Sequence, residues 1–441
     1  FAKNLSYMVK LYLELGNYKA ALVNATDVLK VRQKTLRENH ILFADTYNDL
    51  GNIHYFLGSD LQIVNKYYLL ARDITKENFG EFHPLYAEAL KNVAFVHVQR
   101  KEFDQALTLL NQADDIWRDA LNNLNKSSGE VARIKGDIYN FTGDFKEARK
   151  EYEKAARYFR VLFSDQHPDY LNTQSRLARA YYINGELNKV EDLLSETTES
   201  YLAYTKEYFP TLSEEEKSKF WNKIKPDFEF YNSIAVEYST SKEKYLENMY
   251  NHALITKGLL LSSSMKTRNS ILNSGDTELI KLFKEWVQKK EFLTTTVAQN
   301  EEQLTENEID IPKLKDEISV LEKQLSELSQ DFQDSYEFQS YEWDDIRKSL
   351  EDNEAAVEIV RYRKFDTRFN DDSVRYAALI ITADTRKNPE LVLLKNGTDM
   401  EKKHFLYHRN ATKYKIPDTK SYDIFWAPIY EKIKDKETRQ D

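Results

Sequence analysis

Apolar residues recur at three- and four-residue intervals from the start of the chain, so the first two hundred or so positions predict amphipathic helices and no sheet. Short turns interrupt this pattern at Leu15-Gly16-Asn17-Tyr18, Leu57-Gly58-Ser59-Asp60, Arg100-Lys101-Glu102-Phe103, Thr142-Gly143-Asp144-Phe145 and Asn184-Gly185-Glu186-Leu187. Turn positions 16, 58, 101, 143 and 185 lie 42, 43, 42 and 42 residues apart, and self-similarity at such a period marks a repeat array. Seven residues before each turn stands a mostly small residue: Val9, Gly51, Ala94, Gly136 and Ala178. Four before it stands an aromatic or histidine: Tyr12, His54, His97, Tyr139 and Tyr181. Beyond the turn, Ala21, Ala106 and Ala148 hold the fifth position, and Tyr67 and Tyr152 the ninth.

These columns resemble the tetratricopeptide repeat, in which small residues let two antiparallel helices approach and a ring fills the gap beside them. The resemblance covers residues 1–208 and implies about five helix pairs stacked as an α-solenoid. The period exceeds the family's usual one, so each helix should be about a turn longer, a form similar to the repeats of kinesin light chains. His83-Pro84 and His167-Pro168 strengthen that likeness, since Pro in a first helical turn sacrifices no hydrogen bond and presets the backbone angle. A helix pair cannot hide its apolar face alone, so neighbours stack and leave a concave surface. First-helix residues predicted to face that groove, and to bind a protein or peptide there, are Asn48, Asn52, Tyr55, Lys91, Phe95, Arg133, Asn140, Arg179 and Tyr182. Asn can hold a peptide backbone, basic side chains an acidic group, and rings an apolar side chain. The competing expectation is a solvated groove that touches the chain's own C-terminal part, because large apolar patches seldom stay exposed.

The period is lost near Tyr201 while helical patterning continues through a linker at 209–272. Leu212-Ser213-Glu214-Glu215-Glu216 reads as a helix start, with Ser213 capping and Glu216 completing the box. Residues 273–340 carry a heptad stripe, Ile311, Leu314, Ile318, Leu321, Leu325, Leu328 and Phe332, facing a looser one of Leu279, Phe283, Trp286, Leu293 and Val297. The break from Asn307 to Pro312 predicts an antiparallel hairpin turning near Asn307. From 341 to 441 the period changes to two. Ala355–Tyr362, Tyr376–Thr382 and Leu391–Leu394 read as strands, the last before an Asn396-Gly397 turn, and Tyr422–Ile433 as a closing helix.

This last region resembles the opening of a CHAT domain, a caspase-like α/β unit found behind tetratricopeptide repeats. The likeness rests on Asn353-Glu354-Ala355-Ala356-Val357-Glu358-Ile359, Tyr376-Ala377-Ala378-Leu379-Ile380 and Asp423-Ile424-Phe425-Trp426-Ala427-Pro428-Ile429, with Lys257-Gly258-Leu259-Leu260-Leu261 upstream. It implies a cysteine peptidase with a His/Cys dyad on later strands. The chain has no Cys, and it stops at Asp441 before the segment expected to carry the dyad. A thiolate mechanism needs both partners, so no catalytic residue is assigned and the chain itself is expected to be inert. A serine substitute is not signalled, because Gly is absent between Gly275 and Gly397.

The remaining chemistry is sparse. His404 and His408 have the spacing of a metal pair on a helix but no third ligand, so they read as surface histidines. His54 and His97 sit in the ring column and read as packing residues. Glu214-Glu215-Glu216 and Glu306–Asp310 read as solvated helix ends. No phosphate loop, dinucleotide fingerprint or calcium loop occurs, so neither cofactor nor metal is expected. The formal charge of −10 argues against nucleic acid as a partner, and no stretch is apolar enough for a membrane span. Phe1 lies inside a periodic helix, which suggests a missing native N-terminus and leaves the cytoplasm as the default location. The whole reads as a sensor array regulating a caspase-like peptidase whose catalytic part is absent, by docking or releasing it. The alternative is a noncatalytic adaptor or scaffold.

Overall fold

The computed structural model describes residues 2–14, 17–121, 125–163, 165–208, 214–242, 244–261, 271–296, 310–328 and 341–437. They divide into two compact units, Phe1–Leu193 and Leu194–Asp441. The expected helix cap at Ser213, the hairpin turn at Asn307 and the stripe positions Val297 and Phe332 lie outside the described residues.

The first unit is a tetratricopeptide-type solenoid. Its helices are α1 (Ala2–Glu14), α2 (Tyr18–Thr35), α3 (Leu42–Phe56), α4 (Leu61–Phe79), α5 (Pro84–Gln99), α6 (Phe103–Leu121), α7 (Lys126–Thr142), α8 (Phe145–Leu162), α9 (Pro168–Ile183) and the start of α10 (Leu187–Tyr208). Each turn inside a pair is closed the same way. Backbone N–H groups of Asn17, Ser59, Glu102, Asp144 and Glu186 donate to the carbonyls of Tyr12, His54, His97, Tyr139 and Tyr181, at 2.8–2.9 Å. This wide reach back across the helix end requires a left-handed residue just before the donor. Gly58, Gly143 and Gly185 supply it at φ 72°, 89° and 77°, and Lys101 adopts φ 60° in the repeat that lacks a glycine.

Packing within pairs is reciprocal in volume. A Cβ on Gly51 would stand 2.4 Å from the Tyr68 ring, and one on Gly136 2.6 Å from the Tyr152 ring. At the same level of the other pairs, Ala94 shares a core cluster with Leu110, and Val9 one with Ala25. A ring therefore meets Gly, while Leu shares a cluster with Ala and Ala with Val, which keeps interhelical volume near constant. The ring in the second pair is Tyr68, one residue later than the count from the turn predicts. The loop there is longer by one: α4 is capped by Asp60, two residues after Gly58, whereas α8 is capped by Asp144, directly after Gly143. Tyr67 instead stacks on His54, with ring centroids 5.3 Å apart.

In the second unit, α11 (Glu214–Glu237) and α12 (Lys244–Leu261) precede α13 (Thr277–Thr296) and α14 (Ile311–Leu328). The Trp286 indole donates to Glu322 at 3.0 Å and Lys289 pairs with Glu317 at 2.7 Å, so numbering falls on one helix as it rises on the other and the two run antiparallel. Leu279, Phe283 and Leu325 fill the seam. After α15 (Trp343–Ser349), β1 (Ala355–Phe365), β2 (Phe369–Thr382) and β3 (Glu390–Leu394) form an antiparallel sheet in the order β1-β2-β3. Val357 pairs with Ile380, and Ala378 with Val392. Ile429 of α17 (Ala427–Glu437) packs on Ala378 and Ile380, while Phe230 of α11 meets Phe365 edge-on at 4.8 Å. Asn396-Gly397 is not a hairpin turn. Gly397 opens a helical turn that runs through a π-helical stretch, Met400–His404, into α16 (Phe405–Tyr414). A Cβ at Gly397 would lie 2.7 Å from the Val374 carbonyl oxygen, so the glycine serves close approach to β2.

Candidate functional site

The nine residues predicted to bind a partner all lie on the first helices α3, α5, α7 and α9, and all are half-buried. Most of them bridge neighbouring repeats. The Asn92 amide donates to Asn48 at 3.1 Å, and Tyr55 meets Phe95 edge-on with centroids 4.7 Å apart, both from α3 to α5. Lys91 joins α5 to α7 through Glu130 at 2.6 Å. Arg133 joins α7 to α9 through Asp169 at 3.1 Å and Asn172 at 3.3 Å. Asn52 works within its own pair, accepting from the Tyr68 hydroxyl at 2.7 Å. Arg179 and Tyr182 are half-buried and engaged, and Asn140 completes the stripe on α7.

These bridges set the electrostatics of the surface. Burial opposes the Lys91 ammonium, yet Glu88 and Glu130 outweigh it and raise its pKa. Burial likewise opposes the Asp169 carboxylate, but Arg133 and Lys126 hold its pKa below the ordinary value. The surface is thus a row of polar and charged contacts with one aromatic pair, able to offer hydrogen bonds and ring faces to an extended chain. Sequence reasoning missed the partners Asn92, Glu130, Asp137, Asp169 and Asn172. Their signal was present: contacts such as Asn48–Asn92, Lys91–Glu130 and Asp137–Arg176 span close to one repeat period.

Five of the eight histidines make local structural contacts. His54 Nδ1 lies 3.0 Å from Ser59 Oγ and His97 Nδ1 2.6 Å from Glu102, bracing the turns after their own helices. His83 and His167 cap α5 and α9 and stack on Phe79 and Phe163. His408 pairs with Asp418 at 2.7 Å, and hydrogen bonds from Ser421 and His408 hold that carboxylate well below its usual range. Among the described residues, no group of three or more acidic or histidine side chains is placed to hold a metal. None of the described helices is long and apolar enough to cross a membrane.

Comparison with known proteins agrees on the repeats. The tetratricopeptide repeat family matches residues 129–203. Two clustered mitochondria protein homologs are similar in sequence. One, from Lodderomyces elongisporus, is 31% identical over 30% of this chain and 9% of its own length. The other, from Candida albicans, is 28% identical over 36% of this chain and 12% of its own length. The chain thus spans about a tenth of the curated relatives it matches. Among solved structures, a kinesin light chain-like repeat protein of Podosopora anserina is 20% identical, covering 46% of this chain and 95% of that one, with a TM-score of 0.38. A Rap protein complexed with competence and sporulation factor is 14% identical over 73% of this chain and 75% of its own, with a TM-score of 0.39.

Proposed function

We propose that the chain is the recognition arm of a regulated peptidase: the repeat unit binds an extended protein segment, and the second unit is the opening part of a caspase-like domain. The observation that carries the binding half is the continuous row of half-buried Asn, Arg, Lys and aromatic side chains along α3, α5, α7 and α9. Stacked repeats align their first helices side by side, so a row of this kind can meet an extended chain across several repeats at once. Capture of a partner by the intact chain tests it. Tyr55→Ala with Asn140→Ala should weaken capture about tenfold or more, while Val23→Asp and Val161→Asp, on exposed second-helix positions, should leave it unchanged. Loss through the second pair alone would move recognition off the first helices.

Support for the peptidase half is that the segments carrying the caspase-like resemblance fall on β1, on β2 and on the helical stretch that leads into α17, together with apolar side chains a larger domain would cover. Phe405 is 52% exposed, Tyr422 55% and Trp426 40%. The chain holds no Cys, so it should cleave nothing in a diverse peptide library with or without divalent metals; turnover that copurifies with it through two columns would refute the reading. A noncatalytic adaptor is the second reading, and the first-helix row supports it equally. A parent gene that encodes no His-Gly and Cys on later strands would favour the adaptor.

A further inference from the structure

A cavity of about 310 Å³ lies between α11, α12 and β1, room for roughly ten waters at ~30 Å³ each. Trp221, Phe228, Met249, Ala253 and Val360 make its walls apolar. Its floor carries polar groups left without partners. Asn232 and His252 line it at 8% and 7% exposure, and neither Asn232 Oδ1 nor His252 Nδ1 has a hydrogen-bond partner. Glu229, 2% exposed, receives Arg363 on Oε2 at 2.6 and 2.8 Å, while its Oε1 accepts no hydrogen bond and has only Arg361 Nη1 at 4.0 Å.

Buried polar atoms are ordinarily paired, and the two bare acceptors, Asn232 Oδ1 and Glu229 Oε1, call for a ligand that brings donors. The rim has the opposite character. Lys257, half-exposed, pairs with Glu358, and Arg361 pairs with Glu401 at 2.5 Å, but Lys225 has no ion pair within 4 Å among the described residues. A plain cation would leave Lys225 unanswered, and a plain anion would be repelled by the acceptor floor. A zwitterion with an apolar body satisfies floor, rim and walls together.

We propose that this cavity binds a free amino acid with an apolar side chain, its ammonium donating to Asn232 Oδ1 and Glu229 Oε1 and its carboxylate meeting Lys225. The site is independent of the repeat surface. L-phenylalanine and L-leucine, titrated into the full chain and followed by calorimetry and thermal unfolding, should bind saturably and raise the unfolding temperature. N-acetyl-L-phenylalanine, without the ammonium, and phenethylamine, without the carboxylate, should each bind at least about tenfold more weakly than L-phenylalanine. Asn232→Leu should lose L-phenylalanine binding yet unfold at no lower temperature than the parent, since it removes a bare acceptor. Lys225→Met should weaken L-phenylalanine but leave phenethylamine unaffected, and it carries the test should Asn232→Leu fail to fold. No binding of either amino acid, equal binding of the three phenyl compounds, or unchanged affinity in Lys225→Met would each overturn the proposal and leave a water-filled cavity.

Discussion

Gly136 shows what a single hydrogen atom in place of a methyl can fix. The Tyr152 ring lies where a Cβ would be, and its hydroxyl donates to Asp137 at 2.8 Å, so the ring cannot simply swing away. Gly136→Ala should therefore destabilise the repeat unit by about 1–3 kcal/mol despite the better helix propensity of Ala. Adding Tyr152→Leu recreates the Ala94/Leu110 combination, and the double variant should be more stable than the sum of the singles in chemical denaturation; strict additivity would refute the volume pairing. His252 offers a second test at this scale, in the other unit. Burial alone pulls its imidazole from 6.5 down to about 4, so the folded state binds fewer protons than the unfolded one between those values. Stability should then rise with pH across that window, with nothing lost above pH 6.5 and about 3 kcal/mol lost below pH 4. His252→Phe, placed between the Phe228 and Tyr231 rings, should flatten that part of the profile.

Between elements, the α13/α14 seam should behave as one cooperative unit. Leu325 is fully buried against Leu279 and Phe283, and Leu325→Ala should cost about 2–5 kcal/mol, read as faster hydrogen exchange in both helices together. Exchange accelerated in α14 alone would deny the pairing. The heptad spacing made this seam legible, as the fixed period made the repeat turns legible, because both are patterns of burial along one helix face. Other features left no periodic trace. The displacement from Tyr67 to Tyr68 follows from one extra loop residue, which a count from the turn cannot register but a count from the cap does. Asn396-Gly397 predicts a turn because Asn-Gly favours hairpins; the role of Gly397, close approach to Val374, depends on a strand distant in sequence. The residues expected to bind a partner lie on the first helices, but their repeat-to-repeat contacts required knowing which polar side chains meet across a full period.

Over the whole molecule, the two units divide the physical tasks. The first builds a long surface from contacts among near neighbours in sequence, while the second gathers strands and helices around β2, whose residues 377–381 are fully buried. The net charge of −10 falls on the second unit, the first balancing its acidic and basic residues, and favours solubility and basic partners rather than a particular fold. The volume pairing inside each repeat has a further consequence for how such an array can be lengthened. Gly51 and Tyr68, or Gly136 and Tyr152, form a lock whose halves sit on different helices of the same pair. A gene duplication that copies complete pairs carries each lock with its key. A crossover inside a pair would set Tyr against Ala94 or Leu against Gly136, giving a clash in one product and a void in the other. Only crossovers in the loops between pairs would keep every lock whole.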